Sequence, residues 1–353
     1  MKKVNIVLFG VGNVGSVLIK QVLALREQLE RSGELEINIP VIVNSSTAFF
    51  EKKGVKNSWE ADFKNFGVPY KLQDIIDYVK RNEYVNLIAV DATASEDLVH
   101  NYTHLVKNGF NLVAANKVAN TLSTEFYNRL RFELKEHSKQ FLYETNVGAG
   151  LPIIDTLKNL VASGDRITKI QAVLSGSLNF VFNNYDASEP FYKIVEKAMK
   201  EGYTEPDPKI DLSGVDVARK ILILSRESGL DMELEDIGNE SFLSKESLES
   251  SSNEQFFELL KKDEPKFREI YESASKNNAQ LKYVAQLEDG KASVGLQQVG
   301  REHPFYNLSG SDNIVLFFTD RYSQQPLIVK GAGAGAEVTA SGIFADIIRI
   351  GKK

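Results

Sequence analysis

Apolar and polar positions follow two rhythms along the chain. Residues 4–9 form a nearly unbroken apolar run of strand length. From Asn13 the period lengthens, and Val14, Val17, Leu18, Val22 and Leu25 fall on one helical face. The stretch RSGE at 31–34 stops that helix. Ile37, Ile39, Val41 and Val43 then alternate as a second strand, in which Pro40 predicts an edge position or an irregular start. A buried strand over 85–93, a helix over 96–108 and strands over 110–115 and 139–145 continue the series. Strand alternating with helix predicts a parallel, doubly wound α/β sheet.

The rhythm changes after residues 146–152. KIQAVLSG (169–176) and ASVGLQQV (292–299) alternate as strands of a second, more open sheet. Between them, residues 231–278 are helical, polar and acidic, and SKESLESSSNEQ (244–255) reads as a surface loop or mobile segment. Glycines return over 331–342, and an apolar helix follows.

Composition narrows the function classes. The chain has 353 residues, 48 acidic and 42 basic, with a formal charge of −6. It lacks the basic excess of a nucleic-acid binder. The absence of cysteine removes disulfides, thiolate nucleophiles and Cys-based zinc sites. Of the four histidines, His100, His104, His137 and His303, the first two are spaced i, i+4, but HNYTH lacks the metalloprotease glutamate. We read them as exposed helix residues. No apolar stretch reaches the ~18 residues of a membrane span. Asn5 and the following glycines interrupt the first apolar run, so we expect a cytoplasmic protein with neither nucleic-acid nor membrane partners.

The sequence GVGNVG, comprising Gly10, Val11, Gly12, Asn13, Val14 and Gly15, follows a strand and opens a helix. Gly10 suits the tight turn, Gly12 a close backbone approach to a pyrophosphate, and Gly15 close helix–strand packing. The helix N-terminus then faces the phosphates. Asn44, Ser45 and Ser46 stand where an NAD-selective protein carries its ribose-binding carboxylate. NADP and NAD are both compatible, and Lys52 and Lys53 are either solvated loop residues or partners of a 2′-phosphate. Thr93 and Lys117 follow strands, at the ends where doubly wound sheets place ligands.

A second constellation is EGYTEPDPKIDLSGVDVARK (201–220). Ser213 and Asp216 form a capping-box pattern, and Asp216 and Lys220 are i, i+4. One reading is a cap and a surface ion pair. The other is a substrate site. In that site Glu205, Asp207 and Asp211 hold a ligand ammonium, and Asp216 orients Lys220 as proton donor to a carbonyl oxygen. Gly176, Ser177 and Asn179 of LSGSLNF are small polar groups beside a pocket or simply a turn. These residues leave several activities open: a dehydrogenase of an amino acid or its semialdehyde, or a non-catalytic dinucleotide sensor.

AMKEGYTEPDPKIDLSGVDVARK (198–220) resembles the signature of homoserine dehydrogenases. NKVANT (116–121), TNVGAGLPII (145–154), SGSLNF (175–180) and GAGAGAEVTASG (331–342) are similar to that family's other blocks, in the same order. The resemblance covers essentially the whole chain. It is closest to the dehydrogenase half of bifunctional aspartokinase–homoserine dehydrogenases, so an aspartokinase, fused or separate, is an expected partner. It implies a Rossmann-type doubly wound parallel sheet over 1–145, completed by 333–353. A second α+β domain over 146–332 then serves substrate binding and dimerisation, giving a homodimer.

The implied reaction interconverts L-aspartate 4-semialdehyde and L-homoserine with NAD(P)H, in the biosynthesis of threonine, methionine and isoleucine. By the same resemblance, Lys220 is the catalytic lysine and Lys117 the assisting one, also near the cofactor. Glu205, Asp216 and Asp211 bind substrate beside Gly176 and Ser177, while Asn44, Thr93 and Gly335 lie by the cofactor. YETNVGAGL (143–151) implies a monovalent cation, Na+ or K+. Its ligands are mainly backbone carbonyls of Glu144, Val147, Ala149 and Leu151, a set of hard oxygen donors.

Overall fold

A computed structural model describes residues 2–353. It divides into two compact units, residues 1–150 with 335–353, and residues 151–334. The glycine turn at 148–150, which the sequence reading assigned to the second domain, therefore belongs to the first.

The first unit is built on a seven-stranded sheet. Its strands are β1 (Lys2–Phe9), β2 (Leu35–Val43), β3 (Thr47–Phe50), β4 (Val68–Pro69), β5 (Leu87–Asp91), β6 (Asn111–Ala114) and β7 (Phe141–Leu142). The order is β4-β3-β2-β1-β5-β6-β7. β2, β1, β5, β6 and β7 are parallel, whereas at one edge β3 pairs antiparallel with β2 and β4 antiparallel with β3. Only residues 44–46 separate β2 from β3. A parallel crossover needs about a dozen residues, so the chain turns back as a hairpin instead. The expected all-parallel sheet is thus mixed at that edge.

β2 is an interior strand despite Pro40. The pairing of β1 with β2 slips between Asn5–Asn38 and Val7–Val41, which sets Ile39 and Pro40 together opposite Ile6. The proline, which has no N–H to donate, occupies this bulge rather than a regular ladder position. β7 keeps only two residues of the strand expected over 139–145, because Glu144–Asn146 closes into a 3-10 turn.

The core of this unit joins Val4, Ile6 and Leu8 to Leu18, Ile19 and Val22 of the helix Asn13–Arg31. It also takes in Ile343, Ile347 and Ile350 of the helix Ala336–Lys352. Glycines let that last helix lie close. A Cβ at Gly342 would meet Thr145 Cγ2 at 2.5 Å, and one at Gly351 would meet Leu35 and Val4 at 2.9 Å. The helix expected over 96–108 is broken at Asn101 into Glu96–His100 and Tyr102–Lys107.

The second unit carries β8 (Ile167–Val173), β9 (Gly238–Glu240), β10 (Gln280–Glu288), β11 (Lys291–Val299), β12 (Asp312–Thr319) and β13 (Leu327–Ala332). The order is β13-β12-β8-β10-β11-β9, antiparallel except where β9 joins β11. Helices Gly176–Asn184, Val215–Glu227 and Glu264–Lys276 pack on β10.

The serine-rich stretch 244–255 is ordered. Ser244 and Ser252 cap the helices Lys245–Leu248 and Asn253–Lys262, accepting from Ser247 N and Gln255 N. Ser247 and Ser250 are buried. Runs of serine favour caps as well as loops, and here capping prevails.

Candidate functional site

Three backbone hydrogen bonds tie the carboxyl ends of the central parallel strands. Gly10 N donates to Val43 O (2.8 Å), Ala92 N to Phe9 O (2.8 Å) and Ala115 N to Asp91 O (2.9 Å). Just beyond them lies a cavity of about 660 Å3. Gly10, Val11, Gly12, Asn44, Ser45, Tyr70, Thr93 and Ser95 are among its lining residues. It sits at the topological switch point, where sheet order reverses about β1 and doubly wound proteins bind ligands.

The three glycines differ in what they permit. Gly10 has φ 95°, and a Cβ there would lie 2.8 Å from Ala92 O. At Gly15 it would lie 1.9 Å from Gly10 O, so both glycines serve the turn and its packing. At Gly12 a Cβ would meet nothing within 4 Å. Gly12 and Asn13 are exposed, and the helix Asn13–Arg31 begins there without a side-chain cap. Open space in front of uncapped backbone N–H groups is the arrangement that accommodates a pyrophosphate. These residues therefore fit a dinucleotide, with Val14 on the first turn of the helix.

At the end of β2, Asn44 spends its side-chain oxygen on Ser46 N (3.0 Å) and Thr47 N (2.8 Å), forming the hairpin turn. Its backbone carbonyl accepts from Tyr70 Oη (3.1 Å). Lys52 and Lys53 do not belong to this cavity. They line another, with Lys3, Glu36 and Tyr84, at the amino ends of β1 and β2. Antiparallel β3 carries the chain back to that end, so the role of 2′-phosphate partner is withdrawn for both lysines.

Thr93 donates through its backbone N and its hydroxyl to Asp91 Oδ1, at 2.8 and 2.7 Å. Lys117 precedes the helix Val118–Thr121 and follows Asn116, whose side-chain oxygen accepts from Val118 N (3.1 Å). Gly335, with φ 123°, starts the helix Ala336–Lys352. Asp91 itself, 2% exposed, went unnoticed in the sequence. The final letter of an apolar strand carries no signal of its own there.

In the second unit Lys220 is 9% exposed on the helix Val215–Glu227. Its ammonium donates to the Leu174 carbonyl (2.7 Å) and pairs with Asp216 (2.8 Å). Two of its three N–H donors are thus placed. The predicted capping box is not what positions Asp216. Gly214, left-handed at φ 74°, is the N-cap residue, and Ser213 ends the preceding helix Pro208–Leu212. A Cβ at Gly214 would fall 2.0 Å from Tyr283 Oη, so packing as well as φ demands glycine.

Asp207 is a helix cap, accepting from Lys209 N (3.1 Å). Asp211 accepts from Ser177 Oγ (3.0 Å) and from Glu205 N (2.8 Å). It braces the turn that presents exposed Glu205. Ser175 caps the helix Gly176–Asn184 and shares a 3.0 Å hydrogen bond with Ser177. Gly176 allows Ser311 to approach, since a Cβ there would lie 3.2 Å from the Ser311 Cβ.

Sequence reasoning also missed Lys282, 1% exposed on β10. It donates to Leu308 O (2.7 Å), Asn179 Oδ1 (3.4 Å) and Asn183 Oδ1. Burial pulls its pKa down to about 8. Its place in an alternating strand resembles that of any exposed lysine, so no sequence signal marks it.

In the segment expected to hold a cation, Glu144 N donates to Asp346 Oδ2 (3.0 Å), and Glu144 O accepts from Val147 N (3.4 Å). Gly148 and Ala149 are both left-handed, with φ 74° and 51°. Leu151 begins the second unit, and its carbonyl accepts from Ile153 N (2.8 Å). His100 lies 3.5 Å from Glu96, and burial lowers the pKa of His303. Among the described residues no His/Cys/Asp/Glu cluster could hold a metal ion, and no helix is long and apolar enough to cross a membrane.

Family models described as homoserine dehydrogenase and as homoserine dehydrogenase, NAD binding domain, match residues 152–348 and 10–144. A bifunctional aspartokinase/homoserine dehydrogenase of Haemophilus influenzae is 38% identical over 349 residues, covering 99% of this chain and 43% of that protein. The chain thus spans about two fifths of the length of such relatives. A homoserine dehydrogenase of Schizosaccharomyces pombe is 36% identical over 359 residues, covering 98% and 95%. Among solved structures, a Candida auris protein of unknown function matches with a TM-score of 0.92 and 31% identity, covering 100% and 99%. A hyperthermophilic archaeal homoserine dehydrogenase in complex with NADPH matches with a TM-score of 0.71 and 25% identity, covering 99% and 97%.

Proposed function

The chain belongs to the homoserine dehydrogenase family, and from that premise we propose that it interconverts L-aspartate 4-semialdehyde and L-homoserine with NADP or NAD. The observation that carries the reading is Lys220, nearly buried and held by Asp216 and the Leu174 carbonyl. The nicotinamide, when bound, supplies a hydride to the aldehyde carbon or takes one from the alcohol. In reduction, Lys220 gives a proton to the carbonyl oxygen through its remaining N–H. In oxidation the neutral amine takes that proton back. Asp216 keeps the lysine in place, Glu205 binds the substrate α-ammonium, and Lys117 assists as a second cation. Backbone N–H groups at Gly12 and Asn13 meet the pyrophosphate.

Both nucleotides are expected to serve. Asn44 and Ser45 neither repel a 2′-phosphate nor offer a carboxylate to the ribose. Carbonyls of Glu144, Val147, Ala149 and Leu151 are read as ligands of Na+ or K+, with the left-handed Gly148 and Ala149 turning the chain between them. A homodimer through the second sheet suits edge strand β13, where Ile328 is 48% exposed. A cytoplasmic location and an aspartokinase partner, fused or separate, complete the reading.

The test is homoserine oxidation with each nucleotide, with and without sodium or potassium. Turnover should appear with both nucleotides and rise with the cation. No turnover under any of these conditions, with folded protein, would end the proposal.

A further inference from the structure

β5 ends in a residue that its surroundings do not favour. Leu87, Ile88, Ala89, Val90 and Asp91 are all buried, and interior strands of parallel sheets are normally apolar throughout. A buried carboxylate is unfavourable unless it is paired or fully hydrogen-bonded. Asp91 has no cation among its partners. Instead four neutral donors surround it: Thr93 N at 2.8 Å and Thr93 Oγ1 at 2.7 Å on Oδ1, with Tyr102 Oη at 2.7 Å and Asn116 Nδ2 at 3.0 Å on Oδ2. That number matches the acceptor sites of an ionised carboxylate.

Three of the four donors come from two turns that the proposed function uses. Thr93 lines the dinucleotide cavity, and its hydroxyl also accepts from Ser95 N (3.0 Å). Asn116 is 3% exposed. Its amide reaches both Asp91 and Ser95 O (2.9 Å), while its side-chain oxygen holds Val118 N (3.1 Å). Lys117 lies between these two anchored residues, and its carbonyl accepts from Asn120 N (3.0 Å). Tyr102 is the one donor belonging to neither turn. It is buried on the helix Tyr102–Lys107.

We propose that Asp91 is a positioning residue, whose carboxylate sets Thr93 on the cofactor cavity and, through Asn116, the turn carrying Lys117. This rests on the proposed dehydrogenase reading for what the two turns do. One buried group that touches neither cofactor nor substrate then governs cofactor affinity through one branch and turnover through the other.

Asp91→Asn tests it, because an amide presents donors where the site supplies donors. If the amide oxygen stays with Thr93, the amide nitrogen faces Tyr102 and Asn116. The tyrosine hydroxyl can rotate to accept, but the Asn116 amide nitrogen cannot. We expect NADPH affinity to fall at least fivefold and kcat at least tenfold. Hydrogen exchange in the dinucleotide-free protein should quicken at both 92–96 and 115–121.

Tyr102→Phe removes a donor from the same carboxylate without belonging to either turn. It should lower Tm, yet keep NADPH affinity and kcat within twofold. Asn116→Leu removes the donor to Asp91 and Ser95 O and the acceptor of Val118 N, so it should lower kcat by a clearly larger factor than NADPH affinity, which keeps the test open should Asp91→Asn fail to fold.

The proposal is overturned if Asp91→Asn leaves exchange at both turns unchanged. It is overturned equally if Tyr102→Phe loses affinity and kcat in step with Tm, or if Asn116→Leu weakens NADPH as much as it slows turnover. A wild type that binds NADPH but oxidises no homoserine would end the dehydrogenase reading, and the exchange and binding data would still decide the role of Asp91.

Discussion

The glycine cradle of the first unit and the acidic turn of the second are built on opposite principles. The cradle is backbone. Gly10 and Gly15 are required by the chain's own contacts, while Gly12 faces open space. The acidic turn is side chain on side chain. Asp211 holds Ser177 and the Glu205 backbone, and Asp216 holds Lys220. A backbone site is damaged by adding atoms, and the damage should appear in affinity. A side-chain site is damaged by removing atoms, and the damage should appear in turnover.

The sharpest contrast is Lys220→Ala. General acid–base groups contribute roughly 10² to 10⁴ in rate. We expect a kcat loss of that order with NADPH affinity within twofold, read by steady-state kinetics and fluorescence titration. Equal losses of affinity and rate would erase the division between the two regions.

Lys282 extends the comparison below the acidic turn, to a group whose burial rather than chemistry sets its behaviour. Its pKa is lowered to about 8 from an ordinary 10.5. Below pH 8 the lysine is protonated in both folded and unfolded protein, so its contribution does not change with pH. Between pH 8 and 10.5 the unfolded chain binds the extra proton, and stability from this group rises with pH. Relative to Lys282→Met, the wild type should therefore gain on the order of 3 kcal/mol across that window. Denaturant unfolding at pH 7 and at pH 10 measures it. A constant difference would show that the amine stays charged among its three acceptors.

In the cradle, Gly12→Val should weaken NADPH about tenfold or more with Tm unchanged, because its Cβ meets nothing. Gly15→Val should unfold the turn, because its Cβ would meet Gly10 O at 1.9 Å. Titration and thermal melting of the two variants separate ligand space from packing space within one motif. Equal affinity for Gly12→Val and wild type would place the phosphates elsewhere.

The smallest expected effect is Ser45→Asp. A carboxylate at the end of β2 repels a 2′-phosphate and accepts from ribose hydroxyls. It should move the NAD-to-NADP ratio of kcat/KM about tenfold towards NAD, ~1.4 kcal/mol. No movement would show that Ser45 does not face the ribose.

The strand–helix alternation, the glycine loop and the Asp216–Lys220 spacing were legible because each depends on neighbours within a few residues. Periodicity reports which face is buried, GxGxxG reports a turn, and i, i+4 reports a shared helix face. Local rules misled where two of them competed. The pattern at Ser213 and Asp216 satisfies a capping box, yet Gly214 takes the cap because Tyr283 leaves room for no side chain. Pro40 suggested an edge, yet the strand stays interior by bulging.

What the sequence by itself determined was the alternation of the main strands and helices of the first unit, its α/β class and the residue types able to bind a dinucleotide and move a proton. Only the tertiary structure decided which charges are buried and what they hold. Asp91 meets Tyr102 and Asn116, eleven and 25 positions away, and Lys282 meets Asn179 and Leu308, 103 and 26 positions away. The same folding moved Lys52 and Lys53 to the amino ends of the strands, away from the glycine loop. A local pattern encodes the preference of a short segment, whereas desolvation and hydrogen-bond saturation are properties of everything packed around a group. Those neighbours are assembled only when strands far apart in sequence pair.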